Sequence, residues 1–275
     1  MLDKQYSAEL EALEVYLRSV LNPMPHAALE RFWESMFYSL LSDGKRFRPV
    51  LSLLTAKAFG KPYETVLPLA AAVELIHTYS LIHDDLPLMD NDDMRRGRPT
   101  NHKVYGDAMA LLAGDGLLTA AFSVLTQSSS PHAITAVHLL SEAAGPRGMV
   151  GGQVLDIETK APAVEMLDEI HRRKTGALIQ VAVEASAVLC GATPEQQQAV
   201  ADYGGNLGFA FQLADDLQDY KPDAPEKISY VTCLGATETR KRLTQVSEEA
   251  IESLFIFPDS ADGLRHMVTM NLERV

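Results

Sequence analysis

The stretch PLAAAVELIHTYSLIHDDLPLMDNDD, residues 68–93, changes character partway along. From Pro68 to Leu86 it is rich in alanine and leucine, lacks glycine and stops against Pro87, a pattern that predicts one long, well-buried helix. Five aspartates then fall within ten positions, from Asp84 to Asp93. Carboxylates are unfavourable at the negative end of a helix dipole unless a positive partner is expected there. Outward from this stretch the chain stays helical. Apolar residues recur every three or four positions at Tyr6, Leu10, Leu13 and Leu17, and again at Leu29, Phe32, Trp33, Met36, Phe37 and Leu40. Pro49 opens a further pattern that Gly60, Lys61 and Pro62 close. Helical patterns continue over 102–127, 132–144, 146–159, 162–189, 195–219, 237–253 and 260–272, with prolines at many starts and breaks. Strand alternation is nearly absent, and no Gly/Pro/Ser linker or tandem repeat divides the chain. The expectation is a single all-α domain over 1–275, a large helical bundle.

A chain of 275 residues, 47% apolar and 22% charged, is globular rather than disordered. Its formal net charge of -13 argues against a nucleic-acid binder, which needs a basic face. Two cysteines, Cys190 and Cys233, are too few for a disulfide scaffold and too far apart for a zinc knuckle. The first residues carry acids and no long apolar core, so no secretory signal is expected. The apolar stretches 108–114 and 177–190 are too short, or too charged at Glu184, for a stable membrane insertion. A soluble cytoplasmic protein is the default.

A second acidic group, FQLADDLQDY at 211–220, also closes a predicted helix, with Asp215 and Asp219 one turn apart. Near the first group, His77 and Asp84 share a helix face, and the break at Pro87 lets Asp90 turn back toward them. Two carboxylate groups at helix ends suit a hard divalent cation with oxygen ligands, and with bound phosphate they suit Mg2+. Local basic patches complete the pattern. GKRFRP at 44–49 places Lys45, Arg46 and Arg48 within one turn, and DDMRRGRPTNH at 92–102 adds Arg95, Arg96 and Arg98. In so acidic a protein these point to a specific anion, with guanidinium forks suited to phosphate. Taken alone, His77 reads as a core histidine and Lys174 as a surface lysine.

In this order, GKRFRP, the stretch from 73 to 102, GDGLL (114–118), GGQVLDI (151–157), HRRKTGAL (171–178) and GFAFQLADDLQD (208–219) resemble the trans-isoprenyl diphosphate synthases, most of all the bacterial farnesyl diphosphate synthases. The likeness spans roughly residues 40–232. It implies the all-α isoprenoid-synthase fold, a single large helical bundle around a deep central cavity, generally a homodimer, and three Mg2+ as cofactors. It implies Asp84 and Asp90 as direct metal ligands with Asp85 supporting, and Asp215 as ligand of a third metal with Asp216 and Asp219 alongside. Arg95, Lys174 and Lys227 are then implied for the allylic diphosphate, and Lys45, Arg48, His77 and Arg96 for isopentenyl diphosphate. Thr175 and Gln212 match polar positions lining the path of an allylic cation. GlyGlyGln at 151–153 lacks the pattern of a phosphate loop and is expected to permit close helix packing.

The growing hydrocarbon needs an apolar cavity, and its depth sets product length. Tyr79 lies five residues before Asp84, about 7.5 Å along the helix, where a ring can act as a floor beside the small Ser80. The resemblance implies the same, so a fifteen-carbon product is expected, with a twenty-carbon product as the rival within the family. Two features depart from the family pattern. The segment DDLQDYKPDAPEKISYVTCLG (215–235) has a shortened loop before Lys227 and carries Val231 where proline is expected, and HRRKTG has Arg173 where histidine is commoner. A shortened loop also fits a noncatalytic partner subunit of a heterodimer, though both acidic motifs are complete. A terpene cyclase shares the fold logic but has no use for a second diphosphate site.

Overall fold

The computed structural model describes residues 6–21, 26–160, 163–221 and 229–275. Two compact units are distinguishable, Met1–Leu53 with Tyr63–Ser129, and Leu54–Pro62 with Ser130–Val275. The first holds α1 (Ser7–Val20), α2 (Glu30–Leu40), α4 (Leu67–Asp84), the short α5 (Asn101–Tyr105) and α6 (Asp107–Leu125), with α3 running over Phe47–Ala58. The second holds α7 (Ala133–Ala144), α8 (Met149–Glu158), α9 (Val164–His171), a π-helical turn over Arg172–Gly176, α10 (Ala177–Leu189), α11 (Pro194–Asp219), α12 (Tyr230–Leu234), α13 (Ala236–Ser253) and α14 (Asp262–Leu272).

In the first unit α4 is the central element. Pro68 stands in its opening turn, where a missing N–H costs nothing, and its residues from Pro68 to Ile76 are buried on every side. Each fully buried leucine or isoleucine there contributes about 1.5–3 kcal/mol. The helix ends at Asp84, with Asp85 as its cap, because Pro87 disfavours helical backbone before it. It packs along α6, with α1 and α2 also against it. The expected helix over 102–127 is broken at Gly106, whose φ of 87° is open to glycine and strained for other residues, so it becomes α5 and α6. By length and composition alone α6 could cross a bilayer, and 39% of its apolar window is buried.

Among the described residues the only strands are Met94–Arg95 and Arg98–Pro99, paired antiparallel. Their connection, Arg96 and Gly97, has φ of 53° and 75°. Two consecutive positive φ values make the hairpin turn whose twist matches its strands. Sequence alternation is too short here to announce it.

In the second unit α11 starts with a capping box, Thr193 and Gln196 exchanging hydrogen bonds, followed by Pro194. It packs on α10 and α13, and a core of Leu167, Phe209, Leu213, Tyr230 and Leu243 forms beneath its last turns. The expected helix over 162–189 is interrupted by the π-helical turn, a feature that often marks functional sites. Gly152 of α8 does permit close packing there. A Cβ on it would lie 2.3 Å from the backbone nitrogen of Lys174.

Candidate active site

In the first unit the end of α4 carries the acidic group. The N–H of Asp90 donates to the carbonyl of Asp84 at 2.8 Å, so the chain after Pro87 does turn back on the helix end. Asp84 is half-buried and Asp90 exposed. Asp85 is 3% exposed and accepts from Nε of Arg95 at 2.9 Å. Burial pushes its carboxyl upward and the Arg95 contact opposes that shift. Arg95 also reaches Asp92 at 3.0 Å, so one guanidinium spans the acidic stretch.

The hairpin turn sends Arg96 the other way, toward Ser42 and the GKRFRP segment. A Cβ on Gly44 would lie 2.6 Å from its Nη1, so this glycine leaves the space the guanidinium fills. Half-buried His77 lies in the field of Arg48, Arg96, Arg46 and Arg95. Burial first, and then those four cations, hold its imidazole well below the ordinary value, so it is neutral at pH 7 and keeps one N–H to donate. Lys45 is exposed and Arg48 half-buried. An uncharged ring among guanidiniums is a surface of positive potential suited to a diphosphate. Arg46 is a different case. Its guanidinium is buried and binds Glu14 and Glu74 and the carbonyls of Leu40 and Ser42, at 2.6–3.2 Å. It braces the motif from inside.

Tyr79 is 6% exposed and stacks edge-on to His83 at 5.6 Å. Burial, and secondarily the charge of Asp84, push its phenol up to about 12. Ser80 donates to the carbonyl of His77 at 2.9 Å.

In the second unit a polar chain runs from the π-helical turn to the acidic end of α11. Thr175 donates to Gln212 at 3.0 Å, and the Gln212 amide donates to Asp216 at 3.2 Å. The backbone N–H of Tyr230 donates to the other Asp216 oxygen at 2.8 Å. Burial raises the Asp216 carboxyl to about 6; these hydrogen bonds pull against it and the charges of Asp215 and Asp219 add to it. Lys174 pairs with Asp156 at 2.6 Å. Asp215 pairs with Arg274. Lys227 lies outside the described residues. Sequence reasoning missed Tyr230 and Arg274. The first stands in the SYV stretch, and its hydroxyl donates to Asp168, which Arg242 also binds. Nothing local in the sequence signals the second.

Among the described residues no three His, Cys, Asp or Glu side chains gather into a ready metal cage. The donor set still fits Mg2+. That ion keeps several waters and takes one or two carboxylates together with substrate phosphate oxygens, and the backbone bond from Asp90 to the Asp84 carbonyl returns the chain that carries Asp90 to the helix end that carries Asp84.

Comparison with known proteins fixes the family. The polyprenyl synthetase profile matches residues 30–234. A farnesyl diphosphate synthase of Geobacillus stearothermophilus is 47% identical over 234 residues, covering 82% of this chain and 76% of that protein. A geranylgeranyl diphosphate synthase of Cyanophora paradoxa is 37% identical over 270 residues, covering 91% of this chain and 90% of the other. The solved structure of an FPP/GFPP synthase from Zymomonas mobilis matches with a TM-score of 0.90 at 34% identity, over 98% of each chain. The chain belongs to the polyprenyl synthetase family and has the all-α isoprenoid-synthase fold. Its chemistry is that of a prenyltransferase, the head-to-tail condensation of isoprenoid diphosphates. These relatives carry different products in their names, so similarity leaves the product length open.

Proposed function

We propose that this enzyme condenses isopentenyl diphosphate with dimethylallyl and then geranyl diphosphate, giving farnesyl diphosphate. Tyr79 carries the product assignment. Adding one isoprene unit buries about five more carbons, favourable by roughly 4 kcal/mol at 0.8 per CH2, so burial alone drives the chain longer. Only a steric wall stops it, and Tyr79 is a bulky, buried ring five residues before Asp84. Tyr79→Ala is expected to shift products to twenty carbons and beyond. Chromatography showing an unchanged fifteen-carbon distribution would remove Tyr79 as the floor.

Asp84 and Asp90, with Asp215, are proposed as ligands of Mg2+ serving the allylic diphosphate. Bound Mg2+ supplies neutralisation of the departing diphosphate. Asp85 holds Arg95 in position, and Arg95, Lys174 and Lys227 are assigned to the allylic diphosphate. Lys45, Arg48, Arg96 and neutral His77 grip isopentenyl diphosphate, whose charge matches their positive field. The allylic carbon–oxygen bond breaks with its electron pair left on diphosphate. The double bond of isopentenyl diphosphate then attacks the cationic carbon, and a proton passes to the released diphosphate. The oxygen dipoles of Thr175 and Gln212 favour the positive charge without capturing it. Asp216, bound through Gln212 and the Tyr230 amide, keeps that pair in register.

A homodimer in the cytoplasm is part of this reading. Leu111 and Leu112 of α6 are 46% and 52% exposed, an apolar face on a helix otherwise suited to burial, and this face supports a homodimer as the reading. The deciding experiment supplies purified protein with radiolabelled isopentenyl diphosphate, dimethylallyl or geranyl diphosphate and Mg2+, and sizes the products. Fifteen-carbon diphosphate supports the proposal. A predominantly twenty-carbon diphosphate makes it a geranylgeranyl diphosphate synthase, released hydrocarbon makes it a cyclase, and no incorporation makes it a partner subunit. EDTA is expected to abolish turnover and added Mg2+ to restore it.

A further inference from the structure

Arg274, two residues beyond α14, lies along one stripe of α11. Its guanidinium sits 4.6 Å over the ring of Phe211, binds Asp215 through Nη2, and shares the same nitrogen with Oε1 of Gln218 at 2.8 Å. Phe211, Asp215 and Gln218 are spaced four and three residues apart, so they form a continuous cradle on one helix face. The other side is fixed as well. Nη1 donates to Asn271 at 3.0 Å, and the Arg274 carbonyl accepts from Gln218 at 3.2 Å. The Arg274 side chain is 17% exposed. This is a seated cation rather than a surface arginine, and among the aspartates at the end of α11 it takes Asp215. Asp216 is directed to Gln212 and the Tyr230 amide instead.

We propose that Arg274 is an internal counter-cation for Asp215. It holds the carboxylate ordered in the absence of metal and must leave it for Asp215 to bind Mg2+. The inference rests on the reading of Asp215 as a metal ligand. Arg274 already occupies Oδ1 of Asp215, and a hydrated dication on the same carboxylate stands at contact distance from the guanidinium, so the two like charges repel and compete for it. Asp215 is about one-third exposed, so a hydrated metal can reach it once Arg274 swings out. The consequence is a coupled exchange in which metal uptake at Asp215 releases the segment after α14. Arg274 therefore sets the metal concentration at which the second aspartate group fills. It is a positioning residue and touches no reacting atom.

The test uses Mg2+ with inorganic diphosphate as the probe and follows binding by calorimetry on the full chain. Arg274→Gln is expected to lower the Mg2+ midpoint by about three- to tenfold, the scale of one partly exposed ion pair removed from competition. Arg274→Lys, which keeps the charge but loses the planar fork, is expected to fall between. Asp215→Asn separates the two readings. If it binds Mg2+ and diphosphate as the wild type does, Asp215 is no ligand and the underlying assignment fails. If Asp215→Asn weakens binding while Arg274→Gln leaves the midpoint within twofold of wild type, the assignment stands and the counter-cation proposal falls. Hydrogen exchange on the unmodified protein needs no variant to fold. Mg2+ with diphosphate is expected to speed exchange over residues 271–275, and unchanged or slower exchange there overturns the proposal.

Discussion

Asp84→Asn is expected to lower kcat by about 10^2- to 10^3-fold while leaving the fold intact, the scale seen when one preorganised electrostatic contact to a transition state is lost. The separation of effects follows from which atoms do what. The turn that returns Asp90 to the end of α4 is closed by the Asp84 carbonyl, which accepts from Asp90 at 2.8 Å, and this backbone bond survives the substitution. What is lost is one negative oxygen, and with it much of the affinity for a hard cation. Asp93→Asn, in the same acidic stretch, is the internal control. Asp93 is 71% exposed at its side chain and pairs with Lys103 at 2.7 Å, on the solvent side. Its loss is expected to change kcat by less than twofold. Steady-state kinetics at saturating Mg2+ decide the matter. An Asp84→Asn enzyme within tenfold of wild type would show that the aspartates at this helix end are a solvated cap and not a metal platform.

The comparison of Asp84 with Asp93 also shows what a sequence can carry. The long helix and its stop were legible because alanine, leucine and proline act locally, and the return of Asp90 followed from the break at Pro87. Both acidic groups were legible as helix ends. The basic segment was legible only as charge. Lys45, Arg46 and Arg48 stand within one turn, yet Arg46 faces inward, and its φ of 48° has no signature in the letters. Whether a cation braces the protein or meets a ligand depends on which distant carboxylates fold against it. Arg274 makes the same point from the other direction. Its partner Asp215 lies 59 positions away, and the contact comes from how α14 and α11 pack. The hairpin over 94–99 was lost because two-residue strands are shorter than any alternation can register.

Arg46→Met carries the largest expected effect on stability. The side chains of Arg46 and Glu74 are 3% and 2% exposed, and their nitrogen and oxygen lie 2.6 Å apart. Removing one member of a buried pair leaves the other charge without solvent or partner, a loss of about 3–5 kcal/mol. The same substitution strips donors from the Leu40 and Ser42 carbonyls at the end of α2, and cuts the tie to Glu14 of α1. Three helices therefore lose a shared anchor. Thermal unfolding is expected about 10 °C lower, since each kcal/mol moves the midpoint by about 2–4 °C in a domain of this size class. Arg46→Met combined with Glu74→Leu is expected to recover part of the loss, because an apolar pair leaves no buried charge. It does not recover all of it, as the α2 carbonyls remain without their donor. Denaturant midpoints of the two variants separate the contributions. If Arg46→Met alone costs less than about 1 kcal/mol, Arg46 is not the brace of the segment and is free to serve the anion site with Lys45 and Arg48.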